Sequence, residues 1–338
     1  MKIAKRLIIW IIISLLLQFA GLFYIDRYYL GSGNTKIKAR KVTEESKEEK
    51  KVDISIPEDV EELKVSFDGK YISYFKENNL NIINTKTGKE KQLSFDDIKD
   101  VSTYTWLSDR NRLLYAEKKD GTMVLNSYDV EREQNDKIKK FDSYGQGDKI
   151  EDIQAAPLTS VIYVKIKRGS GIHSVYNLNI MKEKTKKDLM CDAVGNIRIV
   201  PHEDTLVYEN NYSGKVYATN LDHSINLPNV EKAKLLSIDD NDNVYIGNLK
   251  DKKITKIYYG SLNDSASTWK SLDVPNGAEI KDIYVSPMGK IYLNDNLKGI
   301  VTELETGKTT KYTGVMGEMY IDGITSILDR KLIKTKFN

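Results

Sequence analysis

The stretch VSFDGKYISYF, residues 65–75, decides the fold when read with LNIINTKTGKEKQL at 80–93. In the first segment apolar residues alternate on either side of Asp68-Gly69-Lys70, the pattern of two short strands joined by a tight turn. In the second, Thr87-Gly88-Lys89 separates two further strands, so the whole reads as a four-stranded meander. The first signature returns as LSDRNRLLYAE (107–117), APLTSVIYVKI (156–166), VPHEDTLVYEN (200–210), IDDNDNVYIGN (238–248) and VSPMGKIYLND (285–295). Second hairpins recur at LNSYDVEREQ (125–134) and IVTELETGKTTKY (300–312).

With Ser66, Ser108, Pro157, Pro201, Asp239 and Ser286 as equivalent positions, the copies lie 42, 49, 44, 38 and 47 residues apart. Four short strands with their turns need about 40–45 residues, the length of one propeller blade. A sandwich of immunoglobulin type does not repeat one internal signature at this period, and a parallel β-helix repeats at a much shorter one. The fold class is therefore all-β, a β-propeller over residues 52–338. Six repeats are marked, and GEMYID (317–322), ITSIL (324–328) and KLIKTKF (331–337) supply further strands. Val52–Ile56 is an orphan strand; placed beside the C-terminal strands it completes a composite blade and leaves no free edge. Seven blades are preferred on this ground, with six as the alternative.

The first repeat, with Asp68, Gly69 and Lys70 in the inner turn and Thr87 and Gly88 in the outer one, resembles the blade of TolB-type, WD-repeat-like propellers. The sixth copy keeps Gly289 and Lys290 but has Met288 in place of the aspartate, and IDDNDNVYIG is similar to the turn of NHL-type blades. The resemblance implies a scaffold for interactions; its motifs are structural and do not assign an activity.

Ahead of the repeats, Leu7–Ile25 reads LIIWIIISLLLQFAGLFYI, uncharged throughout. As a helix it reaches about 28 Å, close to the ~30 Å hydrocarbon core of a bilayer. This predicts a transmembrane helix at 7–25 after a short cytoplasmic tail, 1–6, retained as a signal anchor rather than cleaved, since the apolar run exceeds that of a signal peptide. Lys2, Lys5 and Arg6 precede the helix, and Arg27, Lys36, Lys38, Arg40 and Lys41 follow it; because Arg6 abuts the helix while Arg27 is offset by Asp26, the large domain is expected outside the cytoplasm. Residues 26–51 form the expected tether: GSGNTKIKARKVTEESKEEKK, at 31–51, is charged and has no aromatic residue, too little apolar surface to offset its ordering entropy.

Chemistry is sparse. The 338 residues hold 52 Lys and Arg against 49 Asp and Glu, so no strong field recruits nucleic acid. The single cysteine, Cys191, excludes an intrachain disulfide and any multi-cysteine metal site. His173, His202 and His223 have no metal-binding spacing, and Ser170 and Ser174 flank His173 at a Gly-Ser-Gly hairpin tip without a G-x-S-x-G elbow. Asp239, Asn241 and Asn243 place oxygens at alternate positions as calcium loops do, but no glycine or closing glutamate follows; they coincide with a blade turn. No catalytic or cofactor-binding residue is expected, and Asp239, Asn241 and Asn243 are the only metal candidates. Tyr74, Tyr115, Tyr163, Tyr208, Tyr245 and Tyr292 recur in the strand after the repeated turn, where packing between blades is expected of them. The expected function is a non-catalytic protein-interaction scaffold of the cell envelope, bound to the membrane through Leu7–Ile25 and to a protein partner through a propeller face. An envelope lyase or hydrolase with a site at the channel mouth is the alternative.

Overall fold

Asp68 shows how the repeated turn closes. Its Oδ1 accepts the Ser66 hydroxyl and the Lys70 N–H, both at 2.9 Å, while Ser66 Oγ accepts the N–H of Tyr71. Gly69 between them sits at φ +66°, a conformation that disfavours a side chain. In this computed structural model, residues 2–25 and 53–338 are described, apart from 78, 95–100, 120–121, 142–144 and 146. The chain forms two units, Met1–Lys50 and Lys51–Asn338.

In the first unit a helix, α1, runs Lys2–Ile25, so it includes most of the segment expected as a tail. Its large apolar side chains, among them Trp10, Ile11, Leu16, Phe19 and Phe23, are exposed. The described residues bear out the expected membrane span only as a helix. Side chains are described without a break only from Trp10 to Tyr24, about 22 Å of helix against a core of ~30 Å. Among the described residues no helix is long and apolar enough to cross a membrane. The tether expected at 26–51 lies outside the described residues, as does Val52.

The second unit is a seven-bladed propeller. Blade 1 holds β1 (Glu61–Val65), β2 (Tyr71–Lys76), β3 (Asn79–Asn84) and β4 (Glu90–Ser94). Blade 2 holds β5 (Val101–Trp106), β6 (Arg112–Lys119), β7 (Thr122–Asp129) and β8 (Gln134–Phe141). Blade 3 holds β9 (Lys149–Ala156), β10 (Val161–Lys167), β11 (His173–Leu178) and β12 (Lys184–Lys187). Blade 4 has three strands, β13 (Val194–Ile199), β14 (Leu206–Asn210) and β15 (Lys215–Ala218). Blade 5 holds β16 (Ala233–Ile238), β17 (Asn243–Lys250), β18 (Lys253–Ser261) and β19 (Lys270–Ala278). Blade 6 holds β20 (Ile283–Val285), β21 (Ile291–Asp295), β22 (Ile300–Glu303) and β23 (Thr309–Lys311). Blade 7 ends the chain with β24 (Val315–Tyr320), β25 (Gly323–Leu328) and β26 (Lys331–Lys336).

All pairings within blades are antiparallel between chain neighbours, and the first strand of each blade is innermost. The inner turn and the outer turn of a blade thus share one face of the disc, called here the turn face; the remaining connections share the other. The preferred count of seven is met, and the orphan strand closes the ring as expected. Ser55 bridges Lys331, Ile56 N–H donates to Arg330 O, and Leu332 N–H donates to Ile54 O. Ile54 and Ile56 are buried there, and ion pairs Lys331–Asp53 and Arg330–Glu58 flank the bridge.

The core is not central. Seven separate apolar clusters lie between neighbouring blades, one per seam, including Val65, Ile72 and Tyr320 with Ile54 and Ile56 at the closing seam. All six recurrent tyrosines are buried in these clusters. They do not share one side of their blades: Tyr74, Tyr115 and Tyr208 pack toward the preceding blade, and Tyr163, Tyr245 and Tyr292 toward the following one. A register shift interrupts the inner pair in six of the blades, the extra residue bending the inner strand and adding twist.

Candidate functional site

The bulges re-aim charged residues. In blade 3, Glu151 sits in the shift opposite Lys165 and Ile166. Its carboxylate takes His173 Nε2 at 3.1 Å and lies 3.6 Å from Lys165 Nζ, which itself donates to Gly195 O. Burial works to raise the Glu151 carboxyl, but Lys165 and His173 hold it below the usual range. In blade 7, Glu318 lies in the shift between Met316 and Met319 and accepts the N–H of Val65 across the closing seam at 2.7 Å. Burial pushes this carboxyl up to about 7, against the lowering pull of that N–H and of Lys64. Glu209, 2% exposed, spans the seam between blades 4 and 5: it accepts the N–H groups of Asn196 and Leu235 and pairs with Lys234 at 3.0 Å. Glu209 and Glu318 tie neighbouring blades together, Glu151 ties β9 to β10 and β11 within blade 3, and each carboxylate is already occupied.

The residues singled out in the sequence are not brought together. His173 faces Glu151 and Asp192 O, while Ser174 Oγ accepts Arg168 Nε, so no imidazole activates a hydroxyl there. His202 bonds Asp242, and His223 bonds the adjacent Ser224 O. Burial, with Asp192 close by, pushes the Cys191 thiol up to about 11, so it is not a thiolate at neutral pH. Asp239 Oδ1 accepts the N–H groups of Asn241 and Asn243, and its Oδ2 accepts Asn243 Nδ2 and the Tyr245 hydroxyl, all at 2.9 Å. The calcium candidates thus form a hydrogen-bonded turn, and no group of three or more His, Cys, Asp or Glu able to hold a metal occurs among the described residues.

On the turn face, hydrogen bonds from the inner turns latch five of the seven seams. Asn111 donates to Asp68 between blades 1 and 2, Tyr163 to Asp204 between 3 and 4, and His202 meets Asp242 between 4 and 5. Asp240 N–H donates to Pro287 O between 5 and 6, and Ile321 N–H to Phe67 O between 7 and 1. The seam between blades 6 and 7 is held instead by the Tyr292–Phe337 stack, with ring centroids 4.0 Å apart, and by Asn338 donating to Thr310.

The seam between blades 2 and 3 differs. Among the described residues no hydrogen bond joins the 107–111 turn to the 157–160 turn, and a cavity of about 390 Å³ opens there. Leu107, Leu114, Ile138, Ile162 and Leu178 form its apolar wall, and Arg110, Arg112, Lys137 and Lys182 bring cations to it. Arg112 is tied to Asp129 at 3.0 Å, with its Nε buried and unpaired. Leu158, Ile180 and Met181, at 70%, 74% and 75% exposure, stand on the same face of blade 3. This groove is the candidate site. Sequence reasoning missed it because it arises where two turns some fifty residues apart lack a latch; the one signal was the run of apolar residues, Leu158, Ile180 and Met181, inside turns.

No family model matches the chain, and no curated protein matches it. Solved structures do. A propeller in the crystal structure of the mitotic checkpoint complex is similar over 84% of this chain and 93% of its own, with 12% identity and a TM-score of 0.52. Hsv2 of Kluyveromyces marxianus is similar over 80% of this chain and 89% of its own, with 13% identity and a TM-score of 0.51. TolB of Acinetobacter baumannii aligns over 81% of this chain and 65% of its own, with 12% identity and a TM-score of 0.46. At such identities the likeness shows the fold alone, a β-propeller.

Proposed function

We propose that the chain is a non-catalytic protein-interaction scaffold of the cell envelope, its propeller held outside the cytoplasm by α1 as a single-pass anchor. The observation that carries the binding role is the groove between blades 2 and 3, with three large apolar side chains exposed beside it. Soluble surfaces rarely keep such a cluster without a partner. The neighbour from the mitotic checkpoint complex offers a precedent, being a propeller crystallised within an assembly. The uncharged run Leu7–Ile25, the cations just before it and the exposed apolar side chains along α1 support the anchor.

Photo-crosslinking in intact cells tests the scaffold reading. A crosslinking residue placed at Leu158 or Ile180, or on the opposite face at Tyr212 or Leu297, is expected to trap a defined protein; a chain that crosslinks to nothing from either face refutes it. Protease accessibility in protoplasts tests orientation: digestion of the propeller is expected, and protection overturns the outside placement. Retention of the chain in alkali-washed membranes, lost on deleting residues 7–25, tests the anchor.

A further inference from the structure

The groove has a chemistry that selects its occupant. Lys139 Nζ donates to Lys182 O and Lys182 Nζ donates to Lys137 O, so both ammonium groups rest on neutral carbonyls and not on carboxylates. No ion pair to Lys137, Lys139 or Lys182 occurs among the described residues, whereas Arg110 and Arg112 are each held by an aspartate. The wall carries one carboxylate, Asp136, which accepts Gln134. Lysines on outer strands also guard sheet edges, which accounts for Lys140, Lys184 and Lys186. Edge protection does not account for the apolar rim or for the cavity it borders. A space of this size takes one or two large side chains, and the surrounding field favours anions beside them.

We propose that the seam between blades 2 and 3 docks an acidic peptide segment of a protein partner, with one large apolar side chain seated in the cavity and flanking carboxylates over Lys137, Lys139 and Lys182. This rests on the scaffold reading and adds the partner's chemistry to it. Exposed carboxylates pairing with such lysines steer encounter and set register, while the buried side chain supplies most of the affinity.

The test uses the purified full chain and a displayed library of random peptides. Recovered sequences are expected to carry a Leu, Ile, Met or Phe flanked by Asp or Glu, and a synthetic copy is expected to bind more weakly as salt rises. Lys137→Glu, Lys182→Glu and Leu158→Asp are each expected to weaken that peptide by roughly tenfold or more. Lys253→Glu, on the other face of blade 5, leaves it unchanged. All four positions lie at the surface, and equal unfolding midpoints confirm that the variants fold. Peptides without acidic bias overturn the proposal, as do peptides that bind the charge-reversed variants like the parent. Uptake of anionic vesicles through Lys137 and Lys182 with no peptide recovered overturns it too. Acidic peptides blocked by Tyr212→Ala or Leu297→Ala overturn the groove and leave the scaffold reading intact. Failure of all crosslinking in cells removes the scaffold reading itself.

Discussion

Glu318 makes the closing seam sensitive to pH. Its carboxyl titrates near 7 in the folded chain against an ordinary value of 4.5. The folded state therefore binds a proton that the unfolded state has released, and stability falls as pH rises between these two values. The contribution is fully present below pH 4.5 and lost once pH passes 7. A separation of this size corresponds to about 3 kcal/mol, and the part of Glu318 that still meets water brings it toward about 2 kcal/mol. Glu318→Gln keeps an oxygen for the Val65 N–H and removes the titration. At pH 5 the variant should lie within about 1 °C of the parent. At pH 8 it should unfold about 3–5 °C higher, taking the unfolding entropy of a domain of this size. Thermal unfolding of parent and variant in paired buffers reads the difference, and the three histidines, common to both, cancel. A variant offset that does not change between pH 5 and 8, or that changes with the opposite sign, refutes the burial of this carboxyl as the cause.

Three further outcomes follow from packing. Ile56→Ala, which empties a position only 1% exposed at the ring closure, should cost about 2–4 kcal/mol and speed hydrogen exchange in β26 ahead of the other strands. Gly69→Ala places a methyl 2.6 Å from the Tyr320 ring, whereas Gly307→Ala, at a similar positive φ, meets nothing within 4 Å. Denaturant unfolding should therefore show a loss of about 1 kcal/mol at Gly307 and distinctly more at Gly69. Glu209→Gln should cost about 2–3 kcal/mol in the same assay, because it leaves Lys234 facing a neutral group, and Lys234→Met in that background should recover part of the loss.

What could be read from the sequence was set by local chemistry. The Asp68-Gly69-Lys70 turn and its copies revealed blade length because a tight turn needs particular residues wherever it falls. The closing strand was legible because Ile54 and Ile56 alternate with polar neighbours and had no hairpin partner nearby. The tyrosines announced burial between blades, but not which seam each one enters, since that depends on how a blade is set against its neighbours. Glu151, Glu209 and Glu318 gave no signal: each lies in or opposite a bulge and meets partners that are distant in sequence or on another blade. The three-stranded blade 4 was equally hidden, because residues 219–232 carry strand-like apolar residues yet contribute only the bridge between Tyr217 and Ser224.

Ring closure through Ser55 and Lys331 also fixes an order of events during synthesis. Ile54 and Ile56 emerge before any blade exists, yet their burial waits for β26, the last strand of the ring to be made. Until then the nascent propeller carries one uncovered strand edge and one unsealed seam, surfaces suited to holding by a chaperone or to pairing with a neighbouring copy. Loss of β26 alone leaves every other blade complete in a ring that cannot shut.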